Sequence, residues 1–395
     1  MKHLPKRILS CALALLLCLG LGSVAASAAG APEVTVTLSY ADVYGFKVTP
    51  QTQFTIPADL SETYGFEDDF GGTKVSVMDA IVKLHLLLQG NVSGLAAVYW
   101  DDPYFSWAVS SFMGDGIGAF MAYVNGVDPG VSVCSVEIAD GDTVSFFAMY
   151  DTFLYTDYFT WFEVEGQKTN AVTVAEGDNL ALTLKATLYG MPMAGYHLED
   201  AEIVQLNIVS NAGGYKTAAF SSATWKATID DEGNPVTISF ASAGTYYVSA
   251  ESDYDYEPFM APWLVVTVLT PAQYALWQAK TDAKAALDTY KNAAAYRAAQ
   301  QADLAAAITA GKAAIDAGTD IAGVNTALAN AKVEMDAIKT DAQLTAEETA
   351  AALAQAKTDA KAALDTYKDA AVYRAAQQAE LAAAITAGKA AIDEA

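Results

Sequence analysis

Apolar and polar residues alternate strictly through Val34-Thr35-Val36-Thr37-Leu38-Ser39-Tyr40, the period of a strand with one buried face. The period lengthens after Ser76. Ile81, Leu84 and Leu88 fall three or four apart, Ser76 offers a cap, and Asp79 stands where a carboxylate meets free N–H groups. This predicts a helix from Val77 to about Leu88. Strands are expected again over Ala119 to Val124 and Val131 to Ile138, joined by Asn125-Gly126, a pair suited to the positive φ of a tight hairpin turn. Asp140-Gly141-Asp142 then leads into a strand over Thr143 to Phe147.

The two-residue period dominates the next stretch. Leu180, Leu182, Leu184, Ala186 and Leu188 alternate with Ala181, Thr183, Lys185 and Thr187 after the turn Glu176-Gly177-Asp178-Asn179. Further strands are expected at 203 to 209, 223 to 229, 236 to 240, 246 to 250 and 264 to 269. Short strands separated by Gly, Asn, Asp and Pro turns predict a sandwich.

Near Thr270 the pattern turns helical and Ala-rich. Thr270-Pro271-Ala272-Gln273 has the cap, first-position Pro and third-position Gln of a helix start. The helix should run to about Lys291, with Leu276, Ala279, Ala283, Leu287 and Tyr290 on one stripe. A second helix aligns Leu304, Ile308 and Ile315, Gly318 permits a stop, and Thr319 or Asp320 can cap a third. That third helix carries Ile321, Val324, Leu328, Ala331, Met335 and Ile338 as its buried face. Three helices with short joins make a small bundle, and Thr345 with Glu348 repeats the start signature for a second one.

Ala279 to Asp316 in fact recurs at Ala356 to Asp393, changed only at Asn292→Asp369, Ala295→Val372 and Asp303→Glu380. Such a period marks a module copied in tandem. Against a three-helix unit the sequence ends two helices into the second copy, so a third helix is expected further along a longer protein. Without it the face of Leu364, Leu381, Ile385 and Ile392 should stand partly open. The helices break after about twenty residues, which argues for spacer bundles over a coiled coil.

Residues 1 to 28 read as a secretory signal: Lys2, Lys6 and Arg7, then the apolar run Ile8 to Leu21, then Ala26-Ser27-Ala28. The run is short for a transmembrane helix, and Leu17 before Cys18 does not suit a lipoprotein signal. No membrane insertion is expected after cleavage. The mature chain would begin at Ala29 with 19 basic and 47 acidic residues. That balance argues against nucleic acid and anionic membranes, both of which reward clustered Lys and Arg. Cys134 would be the one cysteine left, excluding an internal disulfide and reading as a small buried hydrophobe.

Catalytic chemistry has little to work with. Of the three histidines, His3 leaves with the signal, His85 is expected partly exposed on the first helix, and His197 falls in a loop. No HExxH, GxSxG, P-loop or CxxC pattern occurs, so no enzyme is expected. The densest aromatic and acidic stretch holds Tyr99, Trp100, Asp101, Asp102, Tyr104 and Trp107. Exposed rings beside carboxylates could stack on a sugar, whereas the ordinary outcome is buried rings flanking a turn. Asp230, Asp231 and Asn234 could collect oxygens for Ca²⁺, as could Asp253, Asp255 and Glu257. Neither spacing completes a calcium loop, and a solvated turn and a polar loop are the better readings.

The segments VSVMDAI (75 to 81), FMAYVNGV (120 to 127) and DGDTVSFF (140 to 147) resemble the DUF4430 domain, which is similar to the C-terminal β-domain of transcobalamin and intrinsic factor. The resemblance implies an α+β, β-grasp-like module over 32 to 155. It also raises cobalamin as a ligand, although family members commonly carry Trp where this chain has Phe120 and Met121. Asn125, Gly126, Asp140, Gly141 and Asp142 support the fold and not a corrinoid site. Residues 225 to 250 resemble bacterial immunoglobulin-like domains, implying an all-β sandwich over 156 to 269. Residues 270 to 344 and 345 to 395 resemble the FIVAR-type Ala-rich three-helix repeats of Gram-positive surface proteins. Together these imply a multidomain, secreted, non-enzymatic cell-surface protein that adheres to a host or environmental glycan or protein. Corrinoid capture at the junction of the first two modules is one alternative, and a purely structural stalk is another.

Overall fold

The computed structural model describes residues 32–99, 107–113, 120–149, 157–188, 191–192, 201–229, 234–251 and 259–395. Its contacts divide the chain between Thr270 and Pro271 into a strand-rich unit and a helical unit. Several β-sheets followed by C-terminal helices make it a mixed multidomain protein.

The strand-rich unit begins with β1 (Glu33–Asp42), β2 (Gly45–Val48), β3 (Gln53–Pro57), the short α1 (Leu60–Thr63), α2 (Val77–Gln89), β4 (Ala96–Tyr99), β5 (Trp107–Ser111), β6 (Phe120–Val124) and β7 (Thr143–Ala148). β1 lies parallel to β7 and antiparallel to β2 and β3, and β6 pairs with β7. α2 packs on β1, β3 and β7, and Val36, Leu38, Ile56, Ile81, Leu84 and Phe146 meet in the core between them.

α2 starts where its capping chemistry places it. Ser76 N donates to Asp79 Oδ2 at 2.8 Å and Asp79 N donates back to Ser76 Oγ at 3.1 Å, closing a capping box. Asp79 is fully buried and also accepts from Ser61 N at 2.7 Å. Burial raises its pKa from the ordinary 3.8 to about 6, partly opposed by those hydrogen bonds.

Residues 131 to 138, expected as a strand, form turns instead. Their carbonyls serve α2: Val77 N donates to Val136 O at 3.0 Å and Met78 N to Val133 O at 3.2 Å, satisfying N–H groups that a helix leaves open at its first turn. β6 therefore turns back on itself through Asn125 and Gly126, with φ of 53° and 72°, and takes β7 as its partner. Cys134 sits buried in this segment with its thiol pushed up to about 12 by burial, which makes it unreactive.

His85, expected partly exposed, is fully buried. It lies four residues after Ile81 on the core face of α2, packs edge-on against Phe112 with ring centroids 5.2 Å apart, and bonds Asn91 O through Nδ1 at 2.8 Å.

The remaining strands are β8 (Tyr158–Val164), β9 (Gln167–Thr169), β10 (Ala171–Ala175), β11 (Asn179–Leu188), β12 (Met191–Pro192), β13 (Glu202–Leu206), β14 (Val209–Ser210), β15 (Lys216–Ala219), β16 (Trp225–Thr228), β17 (Val236–Ser239), β18 (Gly244–Glu251), β19 (Phe259–Met260) and β20 (Leu264–Leu269). One sheet runs β10-β20-β18-β13-β16, and a second is built around β11 and β8. Their apolar residues share one core, with Leu180, Leu182 and Leu184 from β11 meeting Val248, Leu264 and Val266. The strand expected over 203 to 209 breaks after Leu206, and β14 with β15 forms a hairpin that joins the first sheet through β2. A third core follows from this, in which Phe46, Tyr123 and Phe147 meet Phe159, Leu206, Phe220 and Met260.

The helical unit comprises α3 (Pro271–Asp288), α4 (Ala298–Ala317), α5 (Ile321–Ala337), α6 (Asp341–Thr366) and α7 (Ala375–Glu394). α3, α4 and α5 pack around Leu287, Leu304, Ile315, Val324 and Met335. Asp320 caps α5 through Gly323 N at 2.7 Å. Two expectations change here. Ile321 is 45 % exposed, because it occupies the first position of α5. The second copy begins at Thr340, whose capping box with Gln343 starts α6 ahead of Thr345. Glu348 is occupied elsewhere, accepting from Arg297 Nη2 at 2.9 Å.

Candidate functional site

Within the strand-rich unit a cleft of about 370 Å³ opens beside the third core, a size typical of small-molecule sites. Its aromatic side comes from β8. Alternation along that strand sends Phe162 and Val164 into the core of the two facing sheets and Phe159 and Trp161 to the other face. Tyr123 stacks on Phe159 with centroids 4.1 Å apart, Phe159 lies 6.1 Å from Trp161 at 29°, and Trp161 Nε1 donates to Glu163 Oε1 at 3.2 Å. Trp263 also lines the cleft, edge-on to Phe46 at 4.9 Å and stacked on Tyr247 at 5.4 Å.

Lys168 brings a cation to this aromatic wall. The turn at Glu165 and Gly166, both with positive φ, folds β9 back on β8 so that Lys168 stands opposite Glu163. Its Nζ lies 5.0 Å from the Phe159 ring centre and 5.2 Å from that of Trp161, within cation–π range, and donates to Gly126 O at 3.2 Å. The residue as a whole is exposed, but desolvation at the ammonium end lowers its pKa. Gly126 suits the turn by its φ of 72°, and a Cβ there would stand 2.8 Å from Lys168 Nζ, displacing the ammonium from its present position.

Polar groups fill the rest of the lining. Ser39 Oγ donates to Ser145 Oγ at 3.0 Å, leaving both hydroxyls spare acceptor capacity, and Asn170 and Thr169 border the mouth. Trp263 Nε1 and, beside Pro50 of the lining, Gln51 Nε2 are buried without a hydrogen-bond partner among the described residues. A buried donor left unmatched is costly.

Of the candidate binding residues named from the sequence, Tyr99, Trp107 and Asn234 are described, and none of the three lines the cleft. Tyr99 and Trp107 stand opposite each other in the β4–β5 hairpin, while Trp100, Asp101, Asp102 and Tyr104 fall outside the described residues. Asn234 is exposed just before β17, and Asp230, Asp231, Asp253, Asp255, Glu257 and His197 also lie outside the described residues. Among the described residues no group of three or more His, Cys, Asp or Glu could hold a metal ion, and no helix is long and apolar enough to cross a membrane.

The cleft has little signature in the sequence. One local signal was available, the run Tyr158-Phe159-Thr160-Trp161-Phe162, more densely aromatic than a single buried strand face requires. Its union with Lys168, Gly126 and Trp263 depends on tertiary structure. Compared with known proteins, the chain matches no family model and no curated sequence.

Proposed function

We propose that the cleft binds a single sugar unit of a glycan, and that the chain is a secreted, non-enzymatic surface protein in which the strand-rich unit adheres and the helical repeats act as spacers. The observation that carries this reading is the grouping of three aromatic rings, Phe159, Trp161 and Trp263, with Lys168 and hydroxyl groups in one small cleft. A pyranose has the complementary chemistry: an apolar C–H face that stacks on a ring, and hydroxyls for Lys168 Nζ and the Ser39–Ser145 pair.

On this reading residues 32 to 155 form the β-grasp-like module, 156 to 269 the immunoglobulin-like sandwich, and the helices the FIVAR-like repeats. The helix on a mixed sheet, the two facing sheets and the three-helix core are the features that support those assignments. The corrinoid alternative uses the same place, since the cleft lies where the strand sets of residues 32 to 155 and 156 to 269 meet. A macrocycle with its nucleotide tail exceeds 370 Å³, which favours the sugar.

The test is a glycan array followed by calorimetry on the chain from Ala29 onward, with Trp161→Ala and Lys168→Met beside it. Trp161 is only half-buried, so its truncation should leave the fold intact. Loss of one stacking partner, about 1.4 kcal/mol, should weaken binding roughly tenfold. Silence on the array, or binding indifferent to Trp161→Ala, sinks the reading; a visible-absorbance change with cobalamin would favour the alternative.

A further inference from the structure

In the first repeat α5 lies on the α3–α4 pair and buries Leu287, Leu304 and Ile315 to 2 % exposure or less. Their counterparts on α6–α7, Leu364, Leu381 and Ile392, are only half-buried, and among the described residues no third helix packs on them. The two pairs are otherwise built alike. Lys284–Asp316 and Lys312–Asp288 recur as Lys361–Asp393 and Lys389–Asp365, and Lys280 Nζ on Asp316 O at 2.8 Å recurs as Lys357 Nζ on Asp393 O at 2.9 Å.

Three details show what the open face is shaped to receive. A Cβ on Gly311 would meet Ala331 Cβ of α5 at 2.7 Å, so that glycine lets the third helix approach closely; on the matching Gly388 a Cβ meets only Leu364. Tyr290 donates to Asp336 Oδ2 of α5 at 3.0 Å and carries Lys332 over its ring at 4.9 Å, whereas Tyr367 is 76 % exposed. A cavity of about 440 Å³ lies along α6–α7 beside Leu381, Ile385 and Lys368.

We infer that the α6–α7 face is a docking groove for an amphipathic Ala-rich helix of the α5 kind, with a small residue opposite Gly388 and a carboxylate within reach of Tyr367 and Lys368. The inference does not depend on the cleft in the strand-rich unit. It rests on the same side chains holding such a helix in the first copy, where Ala331 meets Gly311 and Asp336 takes both the Tyr290 hydroxyl and the Lys291 ammonium.

A fluorescent peptide of residues 319 to 340, added to the chain from Ala29 onward, provides the test. The peptide must fold as it binds, so saturable one-to-one binding is expected, weak but measurable below about 1 mM. Gly388→Ala should weaken it roughly tenfold, since it places a methyl where the incoming small residue must sit, while leaving the helical content equal or higher. Leu381→Asp should abolish binding. Absence of binding, or affinity unchanged by Gly388→Ala, overturns the inference. So does sedimentation equilibrium showing that two copies of the chain associate through this face, with the dimer lost in Leu381→Asp.

Discussion

Two stretches of this molecule share all but three of 38 side chains and reach different levels of burial. In the first, Leu287 and Ile315 are sealed from water; in the second, Leu364 and Ile392 are not. Much of the local bonding is shared by both, including the Lys–Asp pairs and the 3₁₀ turn capped by Asn292 or Asp369. The difference comes from α5. Local sequence is enough to make the helix pair, and a partner helix is needed to make a core, because an Ala-rich pair buries too little apolar area of its own.

That comparison can be broken most forcefully at the leucines. Leu287→Ala removes a fully buried side chain and should destabilise the first bundle by about 2–5 kcal/mol, whereas Leu364→Ala should cost under about 1 kcal/mol. Unfolding followed by far-UV circular dichroism, with hydrogen exchange to locate the loss, separates the two. Equal losses would mean that the second face is covered after all.

The glycines give a smaller effect of opposite sign. Gly311→Ala forces a methyl against Ala331 and Leu287 and should cost about 1–3 kcal/mol. Gly388→Ala meets only the end of the Leu364 side chain and should stabilise its helix by up to about 1 kcal/mol. Differential unfolding of the two variants checks the sign, and a destabilising Gly388→Ala would contradict the open face. Salt should discriminate least. The Lys–Asp pairs are exposed in both copies and contribute about 0–1 kcal/mol each, so raising ionic strength should shift both copies alike.

The sequence was most legible where structure is set locally. The alternation of Leu180, Leu182 and Leu184 appears as their burial, and Ser76 with Asp79 starts α2 by a capping box. It misled where a tertiary partner decides. Residues 131 to 138 look like a strand, yet their carbonyls are drawn to the open N–H groups of α2. Thr345 looks like a cap, but Thr340 and Gln343 close the helix start first. His85 was readable, since it falls on the stripe of Ile81, and its polarity masked its burial. The cleft was the least legible part. Phe159 and Trp161 come from β8, Lys168 from β9, Gly126 from the β6 turn and Trp263 from just before β20, and no short pattern joins residues so far apart in the chain.

Hydrogen exchange on both repeats in one sample shows whether the α6–α7 face is open. Peptides spanning Asp303 and Glu380 differ in mass, so α4 and α7 can be followed separately in the same chain. With the α6–α7 face open, the amides of α7 should exchange at least tenfold faster than those of α4, and the 319 to 340 peptide should slow α7 alone. Equal protection in the two helices without peptide would contradict the open face.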